Sequence, residues 1–535
     1  MKNINITLIV FIFALSCNDD FLDRESKSSI PENMVFEDPE LIQLFVNNIY
    51  SDVPGFDHEL YDNITDESRN FWGGAPQNVD RGEWFADNNP MEYWAYNQVR
   101  KTNVFLSKID ESSIDEDEKL YLKGQVKTLR AKLYFDMVKR YGGVPLITYP
   151  QNLDDDLFIP RASTDETFEF IVDELKEAIE LLPFSYGDRA IDVGRFNKNS
   201  ARAFLGRVLL FWASELYNPT EDETRWREAA QMNKLVIESG VYQLHSNFRR
   251  IMLDKNNEEE IFSVQYLKGY KEHGWDSWGM PDSRSRQDAS RRCPTQEFVD
   301  AFEMSNGKSI LDPASGYDPM NPYEGRDPRF YATVIYNGSE YGFQGMPVYT
   351  YIGGDDGIND PYQTVTGYLL RKGTDETNKD YYGWSGSDQN WIELRYAEVL
   401  LNYAEAQNEV LDVPDESIYN AIENIRERAG LDPYKLKDNL TKEEMRDVIR
   451  HERFIELSFE QKRYWDLRRW KIAKEVLDGK SFGAMYITLE EDGSYTYERK
   501  PIEGQISVFQ DKMYFMPIPQ REMEKNPELV QNPGW

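Results

Sequence analysis

The chain is poor in the residues on which much enzyme chemistry is built. Its 535 residues include two cysteines, Cys17 and Cys293, and four scattered histidines, at positions 58, 245, 273 and 451. Two cysteines make no disulfide framework, and Cys17 has another expected use, set out below, which leaves Cys293 without a partner for a disulfide or a thiolate metal site. Positive charge is also scarce: 61 Lys+Arg stand against 95 Asp+Glu, a formal net charge of −34. That balance argues against nucleic acid or an anionic membrane surface as partner, since both reward clustered positive charge. His451-Glu452 has Ile455 where a zinc-hydrolase helix needs its second histidine, and neither a Gly-x-Ser-x-Gly elbow nor a phosphate loop occurs. A glycosidase needs two positioned carboxylates, and nothing singles out a pair among 95 acids. No enzymatic activity and no cofactor are expected.

Long apolar runs are missing after residue 16, so no later segment reaches spanning length. Before it, Lys2 and the apolar stretch Ile4 to Leu15 read as a signal peptide. Ser16-Cys17 supplies the small residue and cysteine of a lipoprotein processing site, so residues 1–16 are expected to be removed and Cys17 to carry acyl chains. Multiple chains anchor stably, each buried methylene contributing about 0.8 kcal/mol.

What the sequence has in abundance is helical periodicity. Val126, Leu129, Leu133, Met137 and Tyr141 recur at spacings of three and four, with Ser113 and Glu116 read as a capping box and Gly142-Gly143 as the stop. Similar patterns cover residues 41–52, 92–109, 167–182, 200–217, 226–238, 392–410, 417–429 and 442–477. Small residues recur within them, among them Ala201, Ala203, Gly206, Ala397, Ala404 and Ala406, and allow close helix approach. Paired helices of this kind suggest tetratricopeptide-like repeats, although no clean 34-residue period is visible. The segment around Glu452, Arg453, Glu456, Glu460, Arg463, Asp466, Arg468 and Arg469 reads as a charge-laced surface or scaffold helix.

Between Val241 and Trp391 the period vanishes and turn signals such as Asp312-Pro313, Asn337-Gly338 and Gly353-Gly354 crowd together. Abundant aromatics disfavour disorder there, so the region reads as functional. A second irregular loop, 63–89, carries Trp72 and Trp84 with Asn70, Asn78 and Asp80. Sugar rings pack C–H arrays on aromatic faces while amides, acids and guanidinium groups hold the hydroxyls. Trp72, Trp84, Asn70, Asn78 and Asp80 form one candidate platform, and Trp275, Trp278, Asp276 and Arg284, with Tyr341 and Tyr349, another. The competing reading is that each tryptophan is core, because large aromatics are highly buried on average. Trp94 is assigned to packing. An excess of basic residues between Lys268 and Arg292 suggests an anionic sugar, unless those charges pair with neighbouring acids. The acidic turn 353–360 reads as a solvated turn rather than a calcium loop, since it lacks the EF-hand spacing.

The C-terminal run Pro517-Ile518-Pro519 to Gln531-Asn532-Pro533-Gly534-Trp535, with Ser16-Cys17, resembles the SusD/RagB family of outer-membrane nutrient-uptake lipoproteins. Arg130 to Leu146 and Leu394 to Ala406 agree, so the resemblance runs from residue 17 to 535. It implies a mostly α, SusD-like helical-repeat scaffold with a loop-rich ligand-binding insertion: a tether at 17–37, helical scaffold at 38–240 and 392–535, and the ligand region at 241–391. It further implies outer-leaflet display after Asn18-Asp19-Asp20, an oligosaccharide or polysaccharide ligand and a SusC-like TonB-dependent transporter as partner. A peptide ligand, as for RagB-like members, and a surface glycoside hydrolase are the alternatives.

Overall fold

In a computed structural model, residues 32–56, 60–70, 74–186, 192–284, 290–342, 344–358, 363–380 and 385–535 are described. The expected signal peptide and Cys17 lie outside them, as do Trp72, Arg286, Tyr381, Tyr382 and Trp384. Among the described residues no helix is long and apolar enough to cross a membrane.

Ten helices carry the architecture. They are α1 (Pro39–Ser51), α2 (Tyr96–Lys108), α3 (Glu116–Tyr141), α4 (Thr164–Leu181), α5 (Lys198–Ala213), α6 (Glu223–Glu238), α7 (Tyr396–Val410), α8 (Glu416–Ala429), α9 (Lys442–Glu456) and α10 (Arg463–Arg469). Each packs on its sequence neighbour from α2 through α8, and α9 returns onto α7. The chain is mostly α, a tetratricopeptide-like array of antiparallel helices. Contact between α6 and α7 continues the array across the whole irregular region, which leaves at Glu238 and rejoins at Tyr396. Small residues set the spacing: a Cβ on Gly206 of α5 would lie 2.6 Å from Asn233 Oδ1 of α6, so only glycine permits this approach.

Four local readings differ from the structure. The N-cap of α3 is Asp115, whose carboxylate accepts from Asp117 N at 2.9 Å, rather than Ser113. Residues 391–395 are a strand, β2 (Trp391–Arg395), pairing antiparallel with β1 (Glu260–Val264); tertiary pairing overrides the helical pattern there. The 442–477 pattern is broken after α9, where Phe459 and Gln461 both take φ near +58°. Left-handed backbone is unfavourable for such residues, and here the turn carries Glu460 to Arg395 and Lys372. The hairpin β3 (Gly483–Leu489) and β4 (Tyr495–Pro501) interrupts the expected C-terminal helical scaffold.

The C-terminal run has a mechanical role. Asn532 Nδ2 donates to Tyr141 O (3.0 Å) and Met516 O (2.7 Å), while the Gln531 amide pairs with both backbone groups of Ile518. Met516 N donates to Arg140 O at 2.7 Å. The last residues therefore tie down carbonyls that the end of α3 leaves unpaired.

The charge-laced segment is not surface. Glu452, Arg453, Glu456, Glu460, Asp466, Arg468 and Arg469 are all buried. Arg395, the last residue of β2, reaches Glu259 (2.6 Å), Glu456 (2.7 Å) and Glu460 (2.7 Å). Arg329 joins Asp327 (2.9 Å), Glu456 (3.1 Å) and Glu452; Arg428 joins Glu259 (2.8 Å) and Glu456; Arg426 joins Glu303 (2.8 Å) and Glu452 (3.4 Å); Lys372 joins Glu460 (2.7 Å). Periodicity counts polar residues as exterior, but charges can be buried when each is paired and hydrogen-bonded. The network welds the irregular region, through Glu259, Glu303, Arg329 and Lys372, to α8 and α9, and Asp327 holds Arg329 in place.

Two members of the network titrate in opposite senses. Burial works against the Glu460 carboxylate, yet Arg395 and Lys372 hold its pKa at about 2, against an ordinary 4.5. Its stabilisation is complete above pH 4.5 and is lost as pH falls toward about 2. Burial pushes Glu303 up to about 7 despite Arg426, so its contribution is present below its ordinary 4.5 and is lost as pH rises through about 7. Melting temperatures measured from acid to neutral pH should therefore show Glu460→Gln flattening the acid limb and Glu303→Gln flattening the decline toward neutrality. Parallel curves for wild type and either variant would contradict the assignment for that group.

Candidate functional site

The structure joins the two irregular segments, but by burying what lies between them. Ser68 and Arg69 pair antiparallel with Pro294 and Cys293, and Thr295 N donates to Glu67 O at 3.0 Å. Cys293 is buried at this seam, and burial pushes its thiol up to about 11. Much of the first candidate platform serves packing. Trp84 is 1% exposed and lies 4.5 Å from the Trp535 ring, so it docks the C-terminus instead of presenting a face. Asp80 pairs with Arg69 (3.4 Å) and accepts from Ser507 Oγ (2.6 Å), Asn70 is buried, and Asn78 is exposed. Trp94 packs on Tyr96 and Tyr141.

Trp275 and Trp278 are corrected in the same way. They are 1% and 3% exposed, in a one-turn helix Trp275–Gly279. Trp275 Nε1 donates to Lys372 O (3.1 Å) and Arg292 lies 4.3 Å from its ring. Rings walled in on this scale cannot stack on a sugar. Part of the basic excess of this stretch is engaged as well: Arg292 pairs with buried Asp62 (3.0 Å), Lys268 with Asp380 (2.6 Å), and Arg291 is buried.

What remains open lies next to that buried helix. Asp276 accepts from Asp375 N (2.7 Å), Asn378 Nδ2 (2.8 Å) and Gln389 Nε2 (2.5 Å). Burial pushes its pKa up to about 6 against those donors. Asn378 also donates to Gly386 O (2.8 Å), while Glu272 accepts from Ser385 Oγ (2.5 Å) and Gly386 N (3.1 Å), and Lys255 pairs with Asp388 (2.6 Å). Asp276 and its neighbours thus tie residues 375–378 to residues 385–389. Against these residues lie two adjoining cavities of about 410 Å³ each, which share Asp375, Asn378 and Lys379. Asp276 lines one, and Arg284, Tyr341 and Met346 line the other.

Arg284 donates to Pro347 O (3.1 Å) and to Ser283 Oγ (3.1 Å). Ser283 in turn donates through N (2.9 Å) and Oγ (2.6 Å) to Asp356, whose backbone N–H donates to Tyr349 O (3.0 Å). One residue thus connects the wall of the cleft to a row of tyrosines. Tyr349, 37% exposed, lies 5.7 Å from Tyr351, which lies 5.8 Å from Tyr495 on β4. Ile352 N donates to Ile487 O (2.8 Å), holding the hairpin against this row.

Tyr351, Asp375, Asn378, Lys379 and Tyr495 were absent from the sequence candidates. The signal for Tyr495 was Asp492-Gly493 between alternating residues, a hairpin pattern inside a segment read as helical. Among the described residues no cluster of His, Cys, Asp or Glu could hold a metal ion.

Fold and site together define a helical-repeat scaffold with a loop-built polar cleft and an aromatic row beside it. A family model described as "SusD family" matches residues 258–535, and one described as "Starch-binding associating with outer membrane" matches residues 20–210. The chain belongs to the SusD family. It is similar to SusD-like protein P2 of Formosa agariphila, 24% identical over 579 residues and covering 100% of both chains. A SusD-like protein of Bacteroides fragilis is 32% identical, with a TM-score of 0.80 over 95% of this chain and 100% of that one. A second solved protein of that organism, named as a SusD-like carbohydrate binding protein, shares the fold at 24% identity and a TM-score of 0.79, over 93% and 100% of the respective chains.

Proposed function

We propose that the protein is a non-catalytic cell-surface binder that captures an oligosaccharide and delivers it to a SusC-like TonB-dependent transporter. Membership of the SusD family, the family description that names starch binding and outer-membrane association, and the carbohydrate binding named for a structural neighbour support that reading. In it, acyl chains on Cys17 hold the chain to the outer membrane.

The observation that carries the ligand class is the row Tyr349, Tyr351 and Tyr495 beside the cleft of Arg284, Asn378 and Lys379. Phenol faces serve sugar C–H surfaces, and neighbouring amide, guanidinium and ammonium groups serve hydroxyls. Acids of the cleft are engaged in structural bonds: Asp276 with amides, Glu376 with Arg371 (2.7 Å), Asp375 with Thr377 Oγ1 (2.6 Å), and Asp380 and Asp388 with lysines. That favours binding over hydrolysis. Lys255 and Lys268 of the cleft are already paired with acids, which supports a neutral glycan over an anionic one.

Affinity electrophoresis in gels cast with neutral and acidic polysaccharides tests the reading. A neutral polysaccharide should retard the protein without being shortened. Tyr349→Ala and Tyr495→Ala should each weaken retention by about 1–3 kcal/mol at a nearly unchanged melting temperature. Shortening of the polysaccharide, or full retention by both variants, would refute it.

A further inference from the structure

A second pocket, remote in sequence from the cleft and built wholly on the helical array, has a distinct chemistry. It encloses about 520 Å³ where the C-terminal end of α5 and the start of α6 face α7 and α9. Two of its acids are internally satisfied: Glu409 by a bidentate pair with Arg446 (2.6 and 2.8 Å), and Glu405 by Arg469 and by Trp470 Nε1 (2.7 Å).

Other lining groups are not satisfied. Arg450 of α9 lies 4.8 Å from the Trp470 ring and makes no ion pair or hydrogen bond among the described residues. The ring holds the guanidinium by a cation–π contact, and its N–H groups, without an acceptor among the described residues, suit a carboxylate. Asn408 of α7 is 1% exposed, and its Nδ2 donates to Lys442 O (3.0 Å). That bond fixes which end of the amide is oxygen, and Oδ1 has no donor. A buried acceptor without a donor is costly, so the group calls for an N–H or O–H from whatever enters. Glu215 and Glu221, which make no ion pair among the described residues, stand exposed on the same pocket, and Trp226 supplies an apolar wall.

We propose that this pocket binds a zwitterion of the amino-acid or short-peptide kind. Its carboxylate would sit on Arg450, and its ammonium group would donate to Asn408 Oδ1 with Glu215 and Glu221 nearby. A simple anion meets too many carboxylates here, and a neutral sugar leaves the Arg450 N–H groups without a charged acceptor, since Glu405 and Glu409 act on Arg450 only through space.

Calorimetric titration of the full-length protein with tri-alanine, tri-alanine amide and N-acetyl-tri-alanine tests this. Saturable binding of tri-alanine is expected, weakened about tenfold or more by either blocking group and by Arg450→Gln, the size of effect a charge-assisted hydrogen bond carries. Arg450→Gln should keep its melting temperature and its retention in polysaccharide gels. Absence of saturable binding, equal affinity for the blocked peptides, or unchanged affinity in Arg450→Gln would overturn the proposal. Loss on amidation alone overturns the ammonium half, and with it the zwitterion.

Discussion

Replacing Arg395 with methionine should lower stability by about 3–5 kcal/mol, the cost of leaving a buried ion pair without one partner. The estimate belongs at the upper end because Arg395 serves three carboxylates, Glu259, Glu456 and Glu460, all buried, and one carbonyl, Glu456 O at 2.7 Å. Lys372 still reaches Glu460 and Arg428 still reaches Glu259 and Glu456, so the loss stops short of abandoning every acid. Because the network joins β1 and β2 to α8 and α9, the variant should also expose residues of the 241–391 region to protease before the helical array opens. Chemical denaturation followed by tryptophan fluorescence, with limited proteolysis alongside, measures both. A change below about 1 kcal/mol would mean that the network is dispensable, as exposed pairs usually are.

Trp275→Ala should cost about 3–5 kcal/mol, the range for removing a large aromatic from a core. Its ring is enclosed by Arg292 (4.3 Å), Phe56 (4.9 Å) and Trp391 (6.3 Å), and its N–H is bonded to Lys372 O. An exposed platform residue would behave in the reverse way, with binding lost and melting temperature kept. Thermal melting beside gel retention separates the two. An unshifted melting temperature would restore the platform reading of this tryptophan.

These two residues also mark where the sequence was legible. The helices were readable because a single face of each must be apolar, and α3 ends where Gly142, at φ +71°, takes a conformation that favours glycine. Arg395 was not readable as core, because a charge enters the interior only when partners distant in sequence meet it. Here Glu259 lies 136 residues away and Glu456 61 residues away. Trp275 failed for a related reason: an aromatic among glycines and turns has no period to say which side it faces. Tyr351 and Tyr495 come together across 144 residues, through the pairing of β3 with the 351–352 segment, and composition alone gives no sign of such a meeting. Asp276, Arg284 and Tyr341 were singled out because they sit in the aperiodic region, and the structure lines the two adjoining cavities with them.

The seam between α6 and α7 has a consequence for how this surface can change. α6 and α7 meet directly, so the chain between Glu238 and Tyr396 leaves and rejoins the array at one seam, and its length enters the seam's stability as loop closure. Closure entropy grows only logarithmically, each doubling of such a loop adding about 0.6 kcal/mol. Insertions and deletions in it therefore add little closure penalty at the seam, provided that Glu259, Glu303, Arg329 and Lys372 keep their appointments with α8 and α9. Variation of this surface can then proceed by rewriting the stretches between those four rivets, with no renegotiation among the helices below.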